Sequence, residues 1–336
     1  MIREIFFRAD FIRSLWQTIH LWSNVLLGII KTMVTIRTYK KLTWIDLESP
    51  TKEEVRTIME KYYVHPLVVN ELLSPTLRPK VDVYENLLYI ILHFPTITHR
   101  HDDRLEHELD FIVGKDFLIT THYGPFEALA DFSKIFEVNS ILNKGNMADH
   151  AGFLFFYLIR ELYGNMTDEL DHTRHTLNSI TEEIFAGKEE KMVQAISGVG
   201  RNLLAFKQAI QPHKEVLDSF EEAGVKFFGK EFLYYLNAMS GEYYKIYNRL
   251  ESQREMLSEL RDTNDSLLTT KTNETMKILT ILASLLLPAA IIASIFGMNT
   301  VAIPIIGMEN DFYIVMGMMG ALTIGLFLYF KYQKWI

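Results

Sequence analysis

Hydrophobic and polar positions change rhythm along this chain. From Val34 to about Tyr123, apolar residues come in short runs set between turn-forming residues. Val34-Thr35-Ile36-Arg37 and residues 42–46 read as strands. Pro50-Thr51, with Glu53 and Glu54 just behind, reads as a helix start with a capping threonine. Residues 83–94, rich in branched and aromatic side chains, predict a strand. Residues 107–113 and 117–123, joined by Gly114-Lys115-Asp116, predict a hairpin. This is the pattern of a small α/β layer domain. From about residue 147 the period becomes helical. Phe153, Phe156, Leu158, Leu162 and Met166 start a helix that runs to about Phe185, and Ala186-Gly187-Lys188 makes a turn. A second helix is expected from Glu189 to about Ala223. A third begins near Lys230 and meets no proline until Pro288. A helix of about 65 residues is roughly 100 Å long and needs partners along its length.

The last part is different again. Residues 278–296 and 312–330 are two apolar runs, each of the roughly 20 residues that span a hydrocarbon core. The chain is 49% hydrophobic, and residues 276–330 carry only Glu309, Asp311 and Lys277 as charges. A buried helical hairpin of a soluble protein is the competing explanation. It needs apolar runs longer than such helices usually have. Lys271 and Lys277 flank the first run, Lys331 and Lys334 the second, and residues 300–311 between them hold only acidic charges. The positive-inside rule places both flanks, and with them the large polar part and both termini, in the cytoplasm. The chain has no cysteine, which excludes disulfides and thiolate chemistry. A net charge of −8 argues against nucleic acid as a partner. No phosphate-binding glycine loop or nucleophile elbow supports catalysis.

Residues 1–32 place Arg3, Arg8, Arg13 and Lys31 among apolar residues at roughly helical spacing. They fit an amphipathic surface helix, or a segment upstream of a usual start at Met33. No small-residue cleavage site marks a signal peptide.

Two spans cannot enclose a water path, so conduction requires several copies around one axis. Helical steps along the third helix then select one stripe: Asp262, Thr269, Asn273, Met276, Leu279, Ala283, Leu287, Ala290 and Ser294. It is polar at its cytoplasmic end and apolar in the middle, where a constriction can gate by dewetting. Small residues in it equally suit close helix packing without a pore.

Gly297-Met298-Asn299 follows the first span. With Asn273-Glu-Thr-Met-Lys-Ile-Leu-Thr280 leading in and Pro288 mid-span, it resembles the CorA family of divalent-cation transporters. Arg78-Pro79-Lys80-Val-Asp-Val-Tyr-Glu85-Asn86 resembles the family's cytoplasmic domain, and residues 331–336 its basic C-terminus. The resemblance covers roughly 34–336. It implies an α+β architecture: a cytoplasmic αβα domain, long stalk helices and two C-terminal transmembrane helices, assembled as a funnel-shaped homopentamer in the cell (inner) membrane. On that basis residues 1–32 are an extension, 33–146 the α/β domain and 147–271 the stalk region. Residues 272–298 are the pore-lining span, 299–311 the outer loop, 312–330 the second span and 331–336 a basic tail. Gly297, Met298 and Asn299 would form the selectivity filter. The Asn299 amides would accept hydrogen bonds from the water shell of Mg2+, an ion that dehydrates reluctantly. Gly297 would allow a tight turn out of the helix. Asn273 would be a second station, Asp262 a carboxylate ring, and Met276, Leu279 and Leu287 the narrowing. No cofactor is implied; the cation is cargo, and the partners are the chain's own copies and the bilayer.

Departures from the family pattern leave alternatives open. Phe296 stands where tyrosine is common, and the outer loop lacks a proline–glutamate pair, though Glu309 and Asp311 can still attract cations. The loop resembles those of a broader group that includes zinc-transporting relatives. Asn237-Ala238 stand where magnesium-sensing members carry a regulatory carboxylate. His99, His101, Asp102, Asp103 and His107 fit a weak metal cluster or a polar loop. His172 and His175 fit a solvated helix face, and so do Glu182, Glu183, Glu189 and Glu190 at the hairpin tip. The reading is thus a divalent-cation channel, with Mg2+ first. Zn2+, Co2+ or Ni2+ transport, with or without proton coupling, is the alternative. A membrane-anchored sensor or scaffold is the reading outside transport.

Overall fold

The structure is a computed structural model that describes residues 33–76, 78–95, 106–142, 150–298, 305–308 and 310–335. It divides into two compact units. The first comprises Met1–Asn178 and Ser197–Leu257, the second Ser179–Ile196 and Ser258–Ile336.

The first unit is built on a six-stranded mixed sheet. Its strands are β1 (Met33–Tyr39), β2 (Leu42–Glu48), β3 (Lys80–Val83), β4 (Leu88–Pro95), β5 (Glu106–Val113) and β6 (Phe117–His122), in the spatial order β1-β2-β6-β5-β4-β3. Only β2 and β6 pair in parallel. The helices of this layer are α1 (Lys52–Tyr62), α2 (Pro66–Glu71) and α3 (Glu127–Leu142), followed by α4 (Ala151–Phe185), α5 (Glu189–Ile210) and α6 (His213–Phe228). Thr51 caps α1 as expected: its side chain accepts from the Glu54 N–H, and the Glu54 carboxylate accepts from the Thr51 N–H.

The pleat sorts the sheet into two covered faces. Ile45, Leu47, Tyr89, Ile91, Ile112 and Ile119 form one core with Val55, Ile58, Val68 and Leu72 of the α1–α2 region. On the other face, Trp44 packs edge-on against Phe132 of α3 (5.4 Å), Phe111 against Phe155 of α4 (5.1 Å), and Phe155 against Phe220 of α6 (5.0 Å). The result is the αβα layering expected from sequence. His213, at the start of α6, has no exposed surface. Its Nε2 lies 2.8 Å from the His93 carbonyl and its Nδ1 3.0 Å from the Tyr163 hydroxyl. A carbonyl only accepts, so Nε2 carries the proton and Nδ1 accepts from Tyr163. Burial pushes the pKa down to about 4, which keeps the ring neutral.

Two expected elements differ. The strand expected over 83–94 is two: Val83 ends β3, and Leu88 starts β4. Between them the Tyr84 N–H donates to the Leu87 carbonyl, closing a turn at Glu85-Asn86. The second long helix breaks into α5 and α6 because Pro212 cannot donate the helical hydrogen bond.

The second unit contains the tip of the α4–α5 hairpin, the end of helix α7 (Leu233–Phe296) and helix α8 (Asp311–Tyr332). α7 runs unbroken for 64 residues with Pro288 inside it. Both α7 and α8 contain stretches long and apolar enough to cross a membrane.

Candidate ion pathway

On α7, the nine residues of the stripe are all exposed: Asp262, Thr269, Asn273, Met276, Leu279, Ala283, Leu287, Ala290 and Ser294. The opposite side of the same apolar stretch is partly covered, at Ile281, Ser284, Leu285, Pro288, Ala289, Ile292 and Phe296. With about 100° per residue, the two stripes fall on roughly opposite faces of the helix. α8 has one matching stripe of reduced exposure, at Asp311, Val315, Met319, Thr323, Leu326 and Phe330. Its spacing of four, four, four, three and four residues is one helix face. The remainder of α8 is bare. Leu287, at 60% exposed, and Leu286, at 61%, would be costly in water. In a bilayer such surface is covered by lipid or by further copies.

The polar end of the stripe has a defined chemistry. The Thr269 hydroxyl donates to the Asp265 carbonyl one turn back, which leaves its lone pairs free to accept. Asp265 lies on the same side as Asp262 and is exposed. The stripe's one seven-residue step, from Asp262 to Thr269, passes over it; its charge and its place on the helical wheel are the signal that marks it. Lys271 falls on the far side of the helix from the stripe. Its ammonium donates to the Gly187 carbonyl (3.0 Å) and pairs with the Glu189 carboxylate. That pairing holds the Glu189 pKa below the ordinary range. Glu189, expected on a solvated tip, is almost entirely covered. Sequence gave no signal for this clasp, because its partners are 82 positions apart.

After α7, the Gly297 N–H donates to the Ala293 carbonyl (2.9 Å) and the Met298 N–H to the Ile295 carbonyl. Gly297 has no positive φ, so the turn expected there does not draw on glycine's left-handed freedom. Gly297 continues the helical path for one more residue. Asn299 lies outside the described residues, as do Glu309, His99, His101, Asp102, Asp103 and residues 1–32. Asp311 starts α8, and its carboxylate accepts from the Gly307 and Phe312 N–H groups, one on each oxygen. His107 lies on β5 with its ring edge-on to Phe126 at 5.6 Å. Among the described residues no group of three or more histidines and carboxylates is placed to hold a metal. His172, His175 and Asn237 are exposed.

Comparison with known proteins agrees with this geometry. The family model described as CorA-like Mg2+ transporter protein matches residues 39–332. The "Cobalt/magnesium transport protein CorA" of Thermotoga maritima is 26% identical over 309 residues, 91% of this chain and 87% of that one. The protein of the same name from Methanocaldococcus jannaschii is 23% identical over 88% of this chain and 92% of that one. Among solved structures, the CorA magnesium transporter of Methanocaldococcus jannaschii superposes with a TM-score of 0.77 at 21% identity. The match covers 89% of this chain and 94% of that one. The likeness extends through the α/β layer, the long helix and both C-terminal apolar helices, and the function it carries is transport rather than catalysis. The chain belongs to the CorA-like Mg2+ transporter family of membrane proteins that carry divalent cations.

Proposed function

We propose that this chain forms a homopentamer in the cell (inner) membrane and conducts Mg2+ through a central pore lined by α7. Both termini would lie in the cytoplasm. The observation that carries this reading is the open stripe on α7, opposite the face that is partly covered. Five copies turn each stripe residue into a ring. Asp262 then concentrates cations at the cytoplasmic end, Thr269 and Asn273 offer oxygens to a hydrated ion, and Met276, Leu279 and Leu287 form the narrowing. Ala283, Ala290 and Ser294 leave room beside it. Gly297, Met298 and Asn299 form the outer filter, where neutral amide oxygens hold the water shell of Mg2+ without stripping it. Glu309 and Asp311 add outer negative potential. A softer cation is the second reading, favoured by the name of the Thermotoga maritima relative, which includes cobalt; zinc and nickel belong in the same test.

Flux into proteoliposomes tests both readings. Asn299→Ala is expected to abolish selective Mg2+ flux while the assembly stays intact by size-exclusion chromatography. Flux equal to the parent's would remove Asn299 from the filter. A panel of Mg2+, Co2+, Zn2+ and Ni2+, with and without a pH gradient, decides the ion and the coupling. Absence of flux for every ion would favour a scaffold.

A further inference from the structure

We infer that Glu108 and Asp110 hold one proton between them, and that its loss releases the segment between α2 and β3 from the sheet. This inference concerns the first unit and stands independently of the pore.

The two residues are two positions apart on β5 and so point to the same face of the sheet, the one covered by α1 and α2. Asp110 has no exposed surface, and Glu108 is 8% exposed. Asp110 Oδ2 accepts from the Tyr89 hydroxyl (3.2 Å) and lies 3.4 Å from the hydroxyl oxygen of Tyr123, whose one proton goes to the Glu71 carbonyl at 3.0 Å. Asp110 Oδ1 meets no donor among the described residues. Glu108 accepts from the N–H and the hydroxyl of Thr76 and faces His93 Nε2 at 3.4 Å. The other charges around the pair are Glu71 of α2 and Lys80 and Asp82 of β3. The Lys80 ammonium is committed to Glu71 (2.7 Å) and Asp82 (2.6 Å). Among the described residues no lysine or arginine pairs with Asp110, and full charges on both carboxyls would stand side by side in a buried site. A shared proton gives Asp110 Oδ1 its partner and leaves one charge, spread over three donors, the Tyr89 hydroxyl and the N–H and hydroxyl of Thr76. Burial, then the Glu108 charge, raises the Asp110 carboxyl well above its ordinary range.

The same cluster fastens the chain between α2 and β3. Glu108 holds Thr76, and the Tyr123 hydroxyl donates to the Glu71 carbonyl. Opening this segment admits water, returns the carboxyl to an ordinary pKa of about 4 and releases the proton. The folded form binds more protons than the open form. Closure is therefore full below about pH 4 and is lost as pH rises towards the raised value, by up to about tenfold per pH unit for one proton.

Hydrogen exchange at the Thr76 amide of the full chain in detergent, corrected for intrinsic rates, reads this directly. Between about pH 5 and about pH 9, protection in the parent should fall by up to about tenfold per unit. In Asp110→Asn the amide donates to Glu108 without titrating, and protection should stay flat. A flat parent profile, or the same slope in the variant, would overturn the inference. Infrared spectra of the unmutated chain with carboxyl-labelled aspartate remove any dependence on the variant's folding. A protonated aspartic carbonyl band should persist at neutral pH, and its absence also overturns the inference.

Discussion

β4 and the membrane end of α7 are both strongly apolar, and the fold treats them in opposite ways. Seven of the eight residues of β4 are buried. Of residues 282–296 in α7, none is. The first unit satisfies its hydrophobic surface with its own chain: α1 and α2 on one face of the sheet, α3, α4 and α6 on the other. α7 and α8 each have one stripe of reduced exposure and leave the rest for other material. Apolar content alone is thus silent about what covers a segment. Length, and the number of faces covered, separate a core strand from a membrane helix.

Matched truncations test this contrast most strongly. Leu118→Ala in β6, where the side chain has no exposed surface, should cost about 2–5 kcal/mol of stability. Leu286→Ala, on a bare face of α7, should cost well under that in detergent or nanodiscs. Equal losses in thermal unfolding would break the comparison. A smaller effect follows from His213. Its depressed pKa means that the unfolded chain binds the proton more readily, so stability present above about pH 6.5 is lost as pH falls towards about 4, by up to about 3 kcal/mol. His213→Gln should flatten the acid limb of a stability–pH profile. An unchanged limb would remove His213 as its cause.

The second unit has fewer fixed contacts, and Lys271→Met should loosen one of them. Hydrogen exchange over residues 186–190 is expected to rise several-fold while β4 stays unchanged. Because the chain has no cysteine, Glu189→Cys with Lys271→Cys offers a clean check, in which a short bismaleimide should cross-link within one chain. The smallest effect is expected on the surface of the first unit. The exposed Arg56–Glu60 pair on α1 should show a double-mutant coupling of about 0.5 kcal/mol or less.

Local rules made much of this legible. The cap at Thr51, the hairpin at Gly114-Lys115-Asp116 and the proline-free path into α7 each depend on residues a few positions apart. The turn at Glu85-Asn86 was hidden because both flanking runs are β-formers, so the boundary lay in two polar residues alone. Pro212 was in plain view, and the helical period on both sides of it masked the break. Helix α3, Glu127–Leu142, also went unread. At the site, the stripe could be traced because a helix repeats. The clasp at Lys271 could not, since its partners meet only in the tertiary fold; Glu108 and Asp110 are neighbours on one strand, but their burial beside Thr76, Tyr89 and Tyr123 comes only with that fold.

The clasp also bears on the order in which the chain folds. Glu189 is synthesised 82 residues before the lysine that holds it, and closing so long a loop is entropically unfavourable until other contacts shorten it. Residues 179–196 belong to a unit whose remainder begins at Ser258. During synthesis the hairpin tip therefore emerges well ahead of its dock. It is expected to be among the last segments to gain protection, settling only once the end of α7 has been made and has found its bilayer.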